Sequence, residues 1–147
     1  MTDGRVAEGA KRPRVVIVED YVLIQENIRL VLESDCDVVA TAEDGETALA
    51  AVTEFQPDVI TLDVSLPGSS GFTLARKFQQ THPAIALIFV TAYSDSLHIG
   101  GAFDVGASGY VLKGSMQSEL PAAIRKVCAG GRYLSPALHA KAGTNFS

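Results

Sequence analysis

The sequence predicts a single domain built on an open, doubly wound parallel sheet of five strands, with helices on both faces. Three observations carry that prediction. Five short apolar runs, at residues 15–18, 38–40, 59–62, 86–90 and 110–112, are rich in Val and Ile. They are continuous rather than alternating, as strands buried on both faces of a parallel sheet should be. Each pair of runs is separated by enough chain for one helix, and the intervening segments carry helical apolar spacing. Finally, 147 residues, 47% of them apolar and 20% charged, match the size and balance of one soluble globular domain.

The helical segments follow in order. Residues 22–32 place apolar side chains at 23, 24, 28, 30, 31 and 32, a stripe of roughly 3.6-residue period. Residues 46–55 repeat Ala48, Leu49, Val52 and Phe55, and residues 71–80 give Phe72, Leu74, Ala75 and Phe78. Residues 117–128 give Leu120, Ile124 and Val127. Between the fourth and fifth runs a helix is predicted over 94–103, packing Leu97, Ile99 and Phe103 on the sheet. Gly100 and Gly101 interrupt it, each costing ~1 kcal/mol relative to Ala in a helix interior. Two readings stay open there. Either the helix is short and the glycines form a loop, or the helix is marginal and open to reorganisation. Residues 1–13 are expected to be a disordered tail, 14–133 the folded domain, and 134–147 a C-terminal tail or the start of a linker.

Charge narrows the function classes. Twelve Lys and Arg against seventeen Asp and Glu leave a net charge of −5. From Leu30 to Ala75 no basic residue occurs, yet Glu33, Asp35, Asp37, Glu43, Asp44, Glu46, Glu54, Asp58 and Asp63 do. Such a stretch repels phosphate backbones, so direct nucleic-acid binding by this domain is not expected. It suits a hard cation. No apolar run approaches the ~20 residues of a spanning helix, and no signal-peptide pattern opens the chain. Cys36 and Cys128 have no metal-binding spacing and read as two semi-buried thiols of a cytoplasmic protein.

Ligands of such a sheet bind beyond the carboxyl ends of its strands, where strand order reverses. Glu19 and Asp20 follow the first run, Asp63 the third, Thr91 and Ala92 the fourth, and Lys113 the fifth. Any one of these alone reads as a turn former, a helix cap or a solvated charge. Capping does not require every strand of the crevice to contribute a reactive group. Clustered carboxylates can hold Mg2+ through oxygen. An Asp carboxylate can accept a phosphoryl group as an acyl phosphate, with Lys and a hydroxyl meeting the phosphoryl oxygens. Asp63, after the central strand, is the candidate nucleophile.

Four motifs in order, Val-Glu-Asp (18–20), Pro-Asp-Val-Ile-Thr-Leu-Asp-Val-Ser-Leu-Pro-Gly-Ser-Ser-Gly (57–71), Val-Thr-Ala-Tyr (90–93) and Gly-Ala-Ser-Gly-Tyr-Val-Leu-Lys (106–113), resemble the receiver domain of two-component response regulators. The Ala-Gly-Gly-Arg-Tyr-Leu-Ser-Pro run (129–136) resembles the receiver end of the NarL/FixJ-type branch. The resemblance implies a flavodoxin-like (βα)5 fold and a cytoplasmic phosphoprotein that is not an enzyme beyond its self-catalysed phosphotransfer and dephosphorylation. It implies Asp63 as phosphoacceptor and Glu19 and Asp20 as the acidic pair. Mg2+ would be ligated by Asp20, Asp63 and the Ser65 backbone carbonyl. Lys113 would bind the phosphoryl group, Thr91 would be the switch hydroxyl and Tyr110 the switch aromatic. Pro67 and Gly68 would shape the loop after the nucleophile. The implied partner is a sensor histidine kinase or phosphotransfer protein. A homodimer through the helix 4–strand 5–helix 5 face is the usual receiver assembly.

Two departures stand out. Many receivers have a cis-proline after the Lys, and here Gly114 follows. A helix-turn-helix effector normally follows in that branch, and the end at Ser147 leaves no room for one. The expectation is therefore a free-standing receiver or a fragment. Bulky Tyr93 and non-carboxylate Ser65 are expected to flank the hydrolytic water and prolong the phosphorylated state. A dehalogenase-type phosphatase would need Asp where Ser65 stands. Glu19 and Asp20 would repel the phosphate of a flavin, and no P-loop motif is present. The remaining alternative is a phosphorylation-independent receiver-like interaction module.

Overall fold

The computed structural model describes residues 12–142. Its central sheet contains β1 (Arg14–Val18), β2 (Asp37–Ala42), β3 (Val59–Leu62), β4 (Ala86–Thr91), β5 (Gly109–Leu112) and β6 (Tyr133–Leu134). All neighbours are parallel, in the order β2-β1-β3-β4-β5-β6. The chain thus winds one way from β1 to β2 and the other way from β3 onward. The reversal lies between β1 and β3, which pair Val15 with Val59 and Val18 with Leu62. A two-residue antiparallel ribbon, Ser65–Leu66 against Ser69–Ser70, follows β3.

Among the described residues six helices surround the sheet: α1 (Val22–Leu32), α2 (Gly45–Phe55), α3 (Gly71–Thr81), α4 (Ser96–Asp104), α5 (Met116–Cys128) and α6 (His139–Ala142). Strand alternation sorts side chains into two cores. Val16, Val18, Ile60 and Leu62 face the layer of Leu74, Phe78, Ile99 and Ala102. Val15, Ile17, Val59 and Val111 face Ile28, Leu32, Leu120 and Ile124. Several helix starts are fixed locally. Asp44 and Thr47 form a capping box on α2, Ser70 accepts the Thr73 N–H of α3, and Asp95 accepts the His98 N–H of α4.

The structure departs from the sequence reading at the ends and at α4. Residues 1–11 and 143–147 lie outside the described residues. Arg12, the penultimate residue of the expected N-terminal tail, is fastened. Its guanidinium donates to the Asp37 carboxylate and to the carbonyls of Glu33, Ser34 and Cys36. The segment expected as tail or linker from 134 joins the fold, because β6 pairs Leu134 with Tyr110 and buries Leu134, Ser135 and Leu138. Helix α4 is continuous through Gly100 and Gly101, so the loop reading of those glycines is overturned. Asp95 caps it, and Ile99 and Ala102 alone of its residues are buried. Leu97, expected on the sheet, is 85% exposed. The two thiols also differ: Cys36 is buried and its pKa is pushed up to about 11, mainly by that burial, while Cys128 is exposed.

Candidate phosphoacceptor site

The strand ends deliver their polar groups to one edge. Glu19 leaves β1 with its amide bonded to the Ala42 carbonyl at 2.9 Å. Its side chain is buried, and one carboxylate oxygen accepts the Tyr21 N–H at 3.1 Å. Asp63 follows β3, and Lys113 follows β5. The Lys113 ammonium bridges the two carboxylates, lying 2.7 Å from Asp63 Oδ2 and 3.0 Å from Glu19 Oε1. Burial works hardest against that ammonium, but the two carboxylate bonds outweigh it and raise the Lys113 pKa. It therefore stays protonated well beyond neutral pH. Burial is also the largest influence on Glu19 and raises its pKa, with the Lys113 bond opposing.

The turn after Asp63 is shaped by close approach. A Cβ at position 71 would sit 1.9 Å from the Asp63 carbonyl oxygen, so only glycine fits where α3 begins against the Asp63 backbone. The Gly71 N–H donates to the Val64 carbonyl there. Sequence reasoning missed Gly71, since only tertiary placement brings α3 onto Asp63. Gly68 takes φ +72, the left-handed region that favours glycine, between the two strands of the ribbon.

A second chain of contacts joins Thr91 and Tyr110, the residues expected to switch. Thr91 is fully buried, and its hydroxyl accepts the Tyr93 N–H at 3.3 Å. Tyr110 is also fully buried and donates its hydroxyl to the Tyr93 carbonyl at 2.7 Å. Tyr93 in turn approaches Ser65, hydroxyl to hydroxyl, at 3.4 Å. Its ring stacks on His98 with centroids 4.1 Å apart, and His98 is paired with Asp95. The Ser65 N–H reaches Asp63 Oδ1 at 3.5 Å. Thus Glu19, Asp63 and Lys113 are joined directly, while Thr91 and Tyr110 meet at Tyr93, which touches the loop after Asp63. Asp20 stands half-buried at the same edge.

The donor set fits a hard divalent cation. Every side-chain donor is oxygen: Glu19 and Asp63 face the Lys113 ammonium, and Asp20 stands half-buried at the same edge. Among the described residues no group of three His, Cys, Asp or Glu side chains converges to hold a metal; Lys113 draws Glu19 and Asp63 onto itself. Mg2+ needs no such cage, since it keeps several waters and takes one or two carboxylates. The departure at Gly114 resolves simply. No cis peptide occurs among the described residues, and Lys113 to Ser115 form a 3-10 turn from which the Lys side chain still reaches Asp63.

Comparisons with known proteins agree with this geometry. Residues 15–125 match the family model of the response regulator receiver domain. The response regulator GacA of Pseudomonas viridiflava is 38% identical over 126 residues, covering 84% of this chain and 58% of that protein. The transcriptional regulatory protein DegU of Brevibacillus brevis is 33% identical over 125 residues, covering 84% and 53%. The chain therefore spans little more than half the length of these relatives. A crystal structure of a LuxR-family two-component response regulator from Aurantimonas sp. SI85-9A1 superposes with a TM-score of 0.85 at 33% identity, over 89% of this chain and 95% of that one. The strand-end carboxylates, the bridging lysine, the fold and these likenesses have one consistent reading: the chain belongs to the response regulator receiver domain family.

Proposed function

We propose that the chain is a phosphorylation-controlled switch that accepts a phosphoryl group on Asp63 from a sensor histidine kinase or phosphotransfer protein. The observation that carries this reading is the bridge from Lys113 to Asp63 and Glu19. An Asp63 oxygen attacks phosphorus while the donor's P–N bond breaks, giving an acyl phosphate. Lys113 follows the negative charge from the carboxylate to the phosphoryl oxygens. Asp20, Asp63 and the Ser65 carbonyl are the groups that would hold Mg2+, and Glu19 would add negative charge beside them. When bound, the ion would neutralise charge on the phosphoryl oxygens. The Thr91 hydroxyl turns toward the new phosphoryl oxygens and gives up the Tyr93 amide, which loosens the seat of Tyr110. Attack by water later returns phosphate.

The setting is cytoplasmic two-component signalling, with a transcriptional output through an effector as the relatives' names suggest. No helix among the described residues is long and apolar enough to cross a membrane. The acidic carboxyl edge disfavours direct nucleic-acid contact by this domain. Homodimerisation would use the α4–β5–α5 face, whose outer edge β6 forms.

Intact-mass measurement after incubation with Mg2+ and acetyl phosphate tests the proposal. The parent is expected to gain one phosphoryl group, Asp63→Asn none, and Asp20→Ala far less at equal Mg2+. No gain by the parent at any Mg2+ concentration would leave the phosphorylation-independent interaction module as the reading. The contact of Tyr93 with Ser65 adds an expectation about lifetime. Tyr93→Ala should shorten the phosphorylated half-life by admitting water; an equal or longer half-life would remove Tyr93 from that role.

A further inference from the structure

Lys113 has to be held at the end of β5, and the residue after it offers no restraint. Gly114 is exposed, and a Cβ there would meet nothing within 4 Å. Glycine also has the largest backbone freedom to lose. The restraint comes from the other side of the strand, out of the segment that read as a linker.

Ser135 follows β6 and is fully buried. Its N–H donates to the Tyr110 carbonyl at 3.0 Å, which extends the β5–β6 ladder by one bond. A parallel ladder would next join the Leu112 N–H to the Ser135 carbonyl. That carbonyl is already taken by the Leu138 N–H at 2.8 Å, because the chain turns at Pro136 into a 3-10 turn. The Ser135 hydroxyl replaces it, accepting the Leu112 N–H at 3.1 Å. The same hydroxyl donates its proton to Glu119 Oε1 of α5 at 2.5 Å, which fixes its lone pairs toward the strand. Glu119 also accepts the Tyr133 hydroxyl at 3.3 Å. A buried donor and acceptor pair of this kind fixes geometry because leaving either group unmatched is costly.

We propose that Ser135 and Glu119 are positioning residues for Lys113: their bond clamps the last amide of β5, and so aims the ammonium at Asp63. The proposal rests on the phosphoacceptor reading of the site. It assigns to this chain's C-terminal segment the restraint that a proline after the lysine would otherwise supply.

A double-mutant cycle tests it, with acetyl phosphate as donor and saturating Mg2+. Ser135→Ala is expected to slow phosphoryl uptake about tenfold, the scale of a modest misplacement of a reacting group. In a Lys113→Ala background, followed over a longer incubation, Ser135→Ala should add no further loss. Glu119→Gln, which keeps an oxygen acceptor for the hydroxyl, should retain most of the rate, whereas Glu119→Ala should not. An equal slowing by Ser135→Ala in both backgrounds, or an unaltered rate, would overturn the proposal. Amide resonances of Lys113 and Gly114 in the unphosphorylated protein give an independent reading. They should shift in Ser135→Ala and stay in place in Glu119→Gln, and resonances unmoved by Ser135→Ala would contradict the clamp. If the parent takes up no phosphoryl group, the phosphoacceptor reading fails, while shifted resonances would still establish the clamp. Should Ser135→Ala not fold, Glu119→Ala carries both measurements, because it removes the hydroxyl's acceptor at a half-buried position.

Discussion

Helices α4 and α5 lie on opposite faces of the sheet beside β5, and they hold it differently. Helix α5 runs thirteen residues and buries Leu120, Ala123, Ile124 and Val127. Helix α4 runs nine, buries Ile99 and Ala102, and carries Gly100 and Gly101 in its interior. On the α5 side stands the Glu119–Ser135 bond next to the backbone of Lys113. On the α4 side stand Thr91, Tyr93 and Tyr110, linked by hydrogen bonds through the Tyr93 backbone. On the proposed reading of the site, one sheet can fix the Lys113 ammonium on one face and respond to phosphorylation on the other. The α5 side, proposed to aim Lys113, is packed and bonded, and the α4 side, proposed to respond, is thinly packed.

Truncating one side chain on each helix should break the symmetry most visibly. Ile124→Ala removes a fully buried side chain from the α5 core and is expected to cost about 3–4 kcal/mol in denaturant unfolding, within the range for such cavities. Ile99→Ala on α4 should cost less, about 2 kcal/mol, since a thinly anchored helix relaxes into the space. Equal losses would mean that α4 is as firmly held as α5.

Filling the glycine gap should narrow the contrast by a smaller amount. Nothing lies within 4 Å of a Cβ at Gly100, whereas one at Gly101 would approach Phe72 at 3.4 Å. Gly100→Ala should therefore stabilise the protein by about 0.5–1 kcal/mol, and Gly101→Ala by less. The same Gly100→Ala change should damp the structural response to phosphorylation. A stabilised α4 that responds in full would separate the glycines from the switch.

Much of this arrangement was legible in the sequence, for a physical reason. Strands covered on both faces must be continuous Val and Ile runs, so β1, β3 and β4 announce themselves. The polar residues just beyond them then fall on one edge by topology alone. What stayed hidden depends on partners distant in the chain. Strand β6 is two residues beside Gly130 and Gly131, and only pairing with β5 makes it a strand. Gly71 looks like an ordinary first residue of the helix predicted over 71–80 until α3 is placed against Asp63. The role of Ser135 needs the Leu138 N–H to occupy its carbonyl first. The presence of α4 was legible, but Asp95 and two buried side chains, rather than propensity, settle that it spans its glycines.

Phosphorylation at Asp63 is expected to be answered on the α4 side of β5 and not on the α5 side. Hydrogen-exchange mass spectrometry on the free protein, and on the protein loaded with an acyl-phosphate mimic, tests it most directly. Peptides covering residues 96–104 should exchange fastest among the long helices of the free protein and change most on loading. Peptides covering 116–128 should be protected in both states and nearly unaltered. Slow exchange over 96–104 in the free protein, or a response on loading that is as large over 116–128, would contradict the account.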